Sequence, residues 1–213
     1  MFIGHYGPAF AAKPIQKSVP LWLLFVAVQW MDFCWSVLVL LGVEKVRIIP
    51  GFTQGSTLDL YYMPYTHGLI GASILALVSG VVAAQFFGNR KTLTAAVVAG
   101  AVFSHWLLDL VVHVPDLPLI GDHMKVGFGL WRHVAISLPL EIITLFIGAW
   151  IYDRNRPGKK GRAIFWVFIV AMAAVQAGTQ FMVVRSGQEE AITALVAYLL
   201  LAALAGGVEA VRK

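Results

Sequence analysis

Six apolar runs, each close to the thickness of a hydrocarbon core, decide what this chain can become. They lie at about 21–41, 67–87, 92–113, 130–152, 162–185 and 190–211. A bilayer core of about 30 Å takes about 20 such residues to cross as a helix. Backbone polar groups find no partner in lipid, so runs of this kind form helices that satisfy themselves. The reading is an all-α, polytopic integral membrane protein with about six transmembrane helices. At 59% hydrophobic and 13% charged residues, the composition excludes an ordinary soluble domain, in which roughly a quarter of residues are charged.

Residues 1–20 are apolar but broken by Gly4, Gly7, Pro8, Pro14 and Pro20, and are too short to span. They read as a short re-entrant or interfacial segment. The run after them is too long for a cleaved signal and holds Asp32, so it is expected to remain as the first span. A lone Cys34 in an apolar run leaves no disulfide framework to read. The net charge of +5 comes from Lys and Arg in short loops rather than on one soluble face, which argues for topology signals and against nucleic acid. With the N-terminus inside, 11 of the 16 basic residues fall in cytoplasmic segments and 5 outside, most of the margin coming from DRNRPGKKGR at 153–162. Both termini are therefore expected in the cytoplasm. The two long outer connections, 42–66 and 114–129, are polar and aromatic. Residues 1–152 read as the core that carries the chemistry, and 153–213 as two further spans of the same membrane domain. Glu209, near the inner end of the last span, is expected to snorkel. Trp22, Trp131, Trp150 and Trp166 read as belt residues, Gly71 and Gly80 as helix-packing positions, and Gln176 with Gln180 as interhelical hydrogen-bond glue.

Within this apolar frame sit ionisable groups that lipid penalises by about 2.5–3.5 kcal/mol each or more. In SHWLLDLVVHVPD, at 104–116, His105, Asp109 and His113 recur every fourth residue and share a helix face. Asp32 lies mid-way along the first run, Glu141 along the fourth, and His67 opens the second. No Lys or Arg falls at their depth, so protons, imidazolium or a metal must balance the carboxylates. Imidazole and carboxylate are ligands for zinc, iron or manganese, and H-x-x-x-D lets His105 and Asp109 reach one ion. A proton path and a purely structural polar network use the same residue types and stay open on spacing alone. No nucleotide loop or Ser-His-Asp arrangement is present.

The stretches GHYGPAF (4–10), QWMDFCW (29–35), STLDLYYMPYTHGL (56–69), SHWLLDLVVHVPDLPL (104–119) and KVGFGLWRHVAISLPLE (125–141) resemble, in order, the signature blocks of the YdjM-like (DUF457) family of inner-membrane metal-dependent hydrolases. The resemblance covers roughly the first 150 residues. It implies a bacterial inner-membrane protein with hydrolase activity, and its pattern falls on His5, Asp32, His67, His105, Asp109 and Glu141. A more distant similarity, in ligand order only, is to zinc-dependent phospholipase C; His133 and Glu141 are eight apart here where that pattern has four, which favours one or two ions over three.

The expectation is thus a membrane-embedded hydrolase. One or two divalent ions, zinc foremost, would be held by His5, Asp32, His67, His105 and Asp109, with Glu141 or Asp32 as general base. The substrate would be an amphiphile such as a phospholipid or lipid-linked phosphate. His113, Asp116, Asp59 and Tyr65 are expected at the rim or behind the ligands, and His123 and His133 near the surface. With a cytoplasmic N-terminus His5 reaches an outward-opening site only if its segment re-enters. Otherwise it is no ligand, or the orientation is inverted. A small proton-coupled transporter using the same cluster as a relay is the alternative.

Overall fold

The structure, a computed structural model, describes residues 2–156, 158–179 and 185–212. After a 3-10 turn at Ile3–His5 come α1 (Tyr6–Ala12), α2 (Leu21–Val28), α3 (Trp30–Leu40), strands β1 (Lys45–Ile48) and β2 (Leu58–Tyr62), then α4 (Leu69–Phe86), α5 (Lys91–Val112), α6 (Val134–Arg154), α7 (Arg162–Thr179) and α8 (Gly187–Arg212). Five helices, α4 to α8, are long and apolar enough to cross a membrane, and six spans result if α2 and α3 count as one. Their outward faces are greasy: Ile74, Leu77, Val81 and Phe86 of α4 are 56–75% exposed. Such faces need lipid against them, which makes this a multi-pass membrane protein.

The inward faces carry small residues. On α4, Ala72, Ala76, Gly80 and Ala83 are buried, and a Cβ on Gly80 would run into the Ala95 backbone of α5. This bears out the packing role read for Gly80. A Cβ on Gly71, by contrast, would meet the Tyr65 carbonyl of its own preceding loop. The tightest crossing joins α1 to α6, where a Cβ on Gly148 would collide with the Gly7 backbone and one on Gly7 with Thr144.

Two departures from the sequence reading shape the site. The first span is not one rod, because α2 and α3 meet at Gln29 with a bend of 54°. Gln29 leaves helical geometry (φ −108°, ψ 7°) and its amide donates to the Phe2 carbonyl at 3.2 Å. Non-helical backbone at this depth is tolerable because protein, not lipid, surrounds it. The all-α expectation also needs correcting, since the 42–66 connection folds as an antiparallel pair with Arg47 opposite Asp59 and Ile48 opposite Leu58. KVRI and LDLYY alternate apolar and polar residues, a period-two pattern that suits strands.

Polar groups gather at two levels. Toward the hairpin end lie the histidines and aspartates. At the other end Lys13, though buried, pairs with Glu209 at 2.6 Å and donates to the carbonyls of Lys17 and Val19. Arg212, also buried, pairs with Asp153 at 2.7 Å. Glu209 therefore does not snorkel; it is buried, and its other oxygen accepts the Leu21 N–H at 2.7 Å. Between the two levels sits an aromatic layer of Tyr6, Phe10, Phe25, Tyr152 and Phe165, all at most 1% exposed.

Candidate metal centre

The 3-10 turn and α1 run inward from the Lys13 end and place His5 in the interior. The N-terminal segment is thus buried within the bundle, and His5 meets the cluster across from α5. Its ring stacks on His105, with centroids 3.8 Å apart and planes at 6°. His105 and Asp109 share one face of α5, Asp32 comes from the first turn of α3, and His67 stands just before α4.

Asp109 is the hub. Its Oδ1 lies 3.2 Å from His5 Nε2. Its Oδ2 lies 3.1 Å from His105 Nε2, 3.6 Å from His113 Nε2 and 3.7 Å from His67 Nε2. Asp32 Oδ1 lies 3.2 Å from His67 Nε2 and 3.5 Å from His105 Nε2. Two groups, His5 with His105 and Asp109, and Asp32 with His67 and His105, have donor atoms close enough to share an ion. His5, His67, His105, Asp109 and His113 are all buried, while Asp32 keeps 14% side-chain exposure toward a cavity.

The outer nitrogens show which atoms face the centre. His105 Nδ1 donates to the carbonyl of Val28 at 2.7 Å, the last residue of α2 before the bend. His113 Nδ1 donates to Asp116 Oδ1 at 2.9 Å. His67 Nδ1 lies 2.8 Å from Thr66 Oγ1. Because a carbonyl or carboxylate can only accept, His105 and His113 carry their proton on Nδ1 when neutral, and the Nε2 lone pair turns inward. Metal-binding histidines use this pattern, with the second nitrogen held by a carbonyl or carboxylate.

Spacing within the cluster fits the same chemistry. Zinc bonds of 2.0–2.2 Å to nitrogen and oxygen put tetrahedral ligands about 3.3 Å apart, and the closer donor pairs here fall at 3.1–3.5 Å. Among the described residues His105 Nε2 makes no directed hydrogen bond, although Asp109 Oδ2 is 3.1 Å away.

Other expected residues take different places. Glu141 is buried in the same cavity wall, and its Oε2 accepts the Phe2 N–H at 2.8 Å, so it also anchors the N-terminal turn. Gln176 accepts the Ile3 N–H at 3.3 Å, the glue role read for it; Gln180 lies outside the described residues. His113 is closer in than a rim residue, and Asp116 stands behind it. Asp59 and Tyr65, expected at the rim, do not line the cavity. Asp59 pairs with Arg47 across the hairpin at 2.6 Å, and Tyr65 is 53% exposed. Trp131 is no belt residue: it is buried with its ring 4.1 Å from that of His113. His123 and His133 are exposed, as expected.

Three contributors escaped the sequence reading. Tyr198, on the last helix, donates to Asp32 Oδ2 at 2.8 Å, so the residues around the centre are not confined to 1–152. Glu44 and Thr66 stand behind His67. The cluster opens on a cavity of about 450 Å³ lined by Trp35, Leu60, Trp131, Glu141, Ala194 and Tyr198 among others, a size that holds a small ligand or one end of a larger one.

No family model, curated protein or solved structure matches the chain. What fold and site define is a class: a multi-pass helical bundle with a buried histidine and aspartate cluster whose donors are able to hold a metal ion.

Proposed function

We propose that the protein is a membrane-embedded, metal-dependent hydrolase of amphiphilic substrates, a phospholipid or lipid-linked phosphate, and a relative of the YdjM-like family. The observation that carries this reading is the convergence of imidazole Nε2 atoms with the carboxylates of Asp32 and Asp109, beside a cavity of mixed polarity. Every donor, and Glu141, falls within the sequence blocks that resemble that family. His67, His105, Asp32 and Asp109 would hold a divalent ion, zinc by its match to nitrogen and oxygen donors, with His5 and His113 adjoining. When bound, such an ion polarises the scissile group and brings the pKa of a water to about 7.

Tyr198 holds one oxygen of Asp32, which turns the other toward His67 and His105. That commits Asp32 to the donor set and leaves Glu141, on the cavity wall, to take a proton from the attacking water. The apolar part of the cavity, with Leu60 and Ala194, suits the chain of an amphiphile. By the count of basic residues, the hairpin end is the outer one, so the substrate would enter from the outer leaflet. A proton relay across the membrane is the weaker reading, because Phe10 and Phe25 separate the cluster from the Lys13 level.

Elemental analysis of the purified protein tests the reading. One or two equivalents of metal are expected in the wild type and less than a tenth of that in Asp109→Ala, together with loss of phospholipid hydrolysis in liposomes. Wild-type protein that holds no metal, or an Asp109→Ala variant that holds as much, overturns it.

A further inference from the structure

Glu44 is 1% exposed and lies outside the sequence blocks that pointed to the site. It follows α3 and precedes β1, while Tyr65, Thr66 and His67 follow β2, so pairing of the two strands brings them together. Glu44 Oε1 accepts the N–H groups of Tyr65 (2.9 Å) and Thr66 (3.0 Å). Its Oε2 accepts the Thr66 hydroxyl at 2.6 Å. The same hydroxyl oxygen is 2.8 Å from His67 Nδ1, and His67 Nε2 is 3.2 Å from Asp32 Oδ1.

The proton inventory of this chain of contacts has one solution. A carboxylate only accepts, and a hydroxyl has a single proton to give. Thr66 gives that proton to Glu44, so it meets His67 as an acceptor, and His67 Nδ1 must carry the hydrogen. In the neutral ring Nε2 is then the lone pair, and it faces Asp32 and Asp109. We propose that Glu44 is a positioning residue which, through Thr66, fixes His67 in the Nδ1–H tautomer and so readies Nε2 for the centre. The effect on metal binding rests on the hydrolase site proposed above; the tautomer does not.

Glutamine at position 44 makes a sharp test because it reverses the chain. The amide oxygen keeps the two backbone N–H groups, and the amide nitrogen then faces Thr66 as a donor. Thr66 accepts it, and its own buried proton keeps a partner only by turning toward His67 Nδ1, which moves the imidazole hydrogen to Nε2. Thr66→Val only removes the link and leaves His67 free to choose. The ordering expected is therefore Glu44→Gln worse than Thr66→Val, with Thr66→Ser close to wild type. A role limited to holding the hairpin would not make the near-isosteric Glu44→Gln the worse of the two.

Two measurements on the full-length protein in detergent decide it. The first is nitrogen-15 NMR of histidine-labelled protein stripped of metal with a chelator, with the His67 signals assigned by their loss in His67→Gln. The wild type should show Nδ1–H, Glu44→Gln should show Nε2–H, and Thr66→Val a mixture. The second is zinc titration against a chromophoric chelator, in which Glu44→Gln should bind about 10–100-fold more weakly and Thr66→Ser within threefold of wild type. An unchanged His67 tautomer in Glu44→Gln, or wild-type zinc affinity in that variant, overturns the inference. A wild type that takes up no zinc while the NMR result holds overturns the hydrolase site and leaves the tautomer lock standing. If Glu44→Gln does not fold, wild-type His67 in the Nε2–H form, or Thr66→Val without a mixture, counts equally against it.

Discussion

His105 reaches the centre because it is four residues before Asp109 on a helix, and it faces the right way because Val28 takes its other nitrogen. The first cause was legible in SHWLLDL; the second was not, since nothing about Val28 marks it as an acceptor. Tyr198 and Asp32, 166 residues apart, meet only in the fold. Asp32, His67, His105, Asp109 and Glu141 stood out because ionisable side chains in apolar runs are costly. A tyrosine carries no such flag, and neither does Thr66. Tyr198→Phe should leave Asp32 Oδ2 short of its donor and destabilise the protein by about 1.5–3 kcal/mol, the usual worth of a hydrogen bond to a charged group. Denaturation midpoints in detergent would read this, and an unchanged midpoint would show that cavity water replaces the hydroxyl.

At the scale of elements, length and composition located the spans because thickness is the dominant constraint on a lipid-embedded helix. The bend at Gln29 was hidden, since no proline or glycine lies between 24 and 33 to announce it. Its cause is tertiary: the side chain of Gln29 is drawn to the Phe2 carbonyl. The hairpin is hard to see in the sequence because its strands are only four and five residues long. The α1 to α6 crossing depends on two glycines whose backbones touch. Gly148→Ala should therefore cost about 1–3 kcal/mol through overpacking. Gly100→Ala, where a methyl would meet nothing within 4 Å, should leave the midpoint unchanged or raise it slightly. Equal behaviour of the two variants would mean that α1 does not dock as described.

Across the whole molecule, two polar levels are separated by an aromatic layer, and they differ in kind. At the Lys13 level cations meet carboxylates directly, as Lys13 with Glu209 and Arg212 with Asp153. At the other level Asp32 and Asp109 meet imidazoles and a tyrosine. Lys13→Met should strand the buried Glu209 carboxylate and destabilise the protein by about 3–5 kcal/mol, and adding Glu209→Leu should recover most of the loss. A double variant as unstable as the single one would contradict this. The N-terminal turn ties the halves of the molecule together, with Phe2 on Glu141 and Ile3 on Gln176. These contacts join residues 139 and 173 positions apart. At ribosomal rates of about 5–20 residues per second, the segment bearing His5 leaves the ribosome roughly ten seconds or more before its berth is made. A segment made well before the helices that receive it is thus among the last to settle, and the nascent protein must pass through a stage in which its centre stands open on one side.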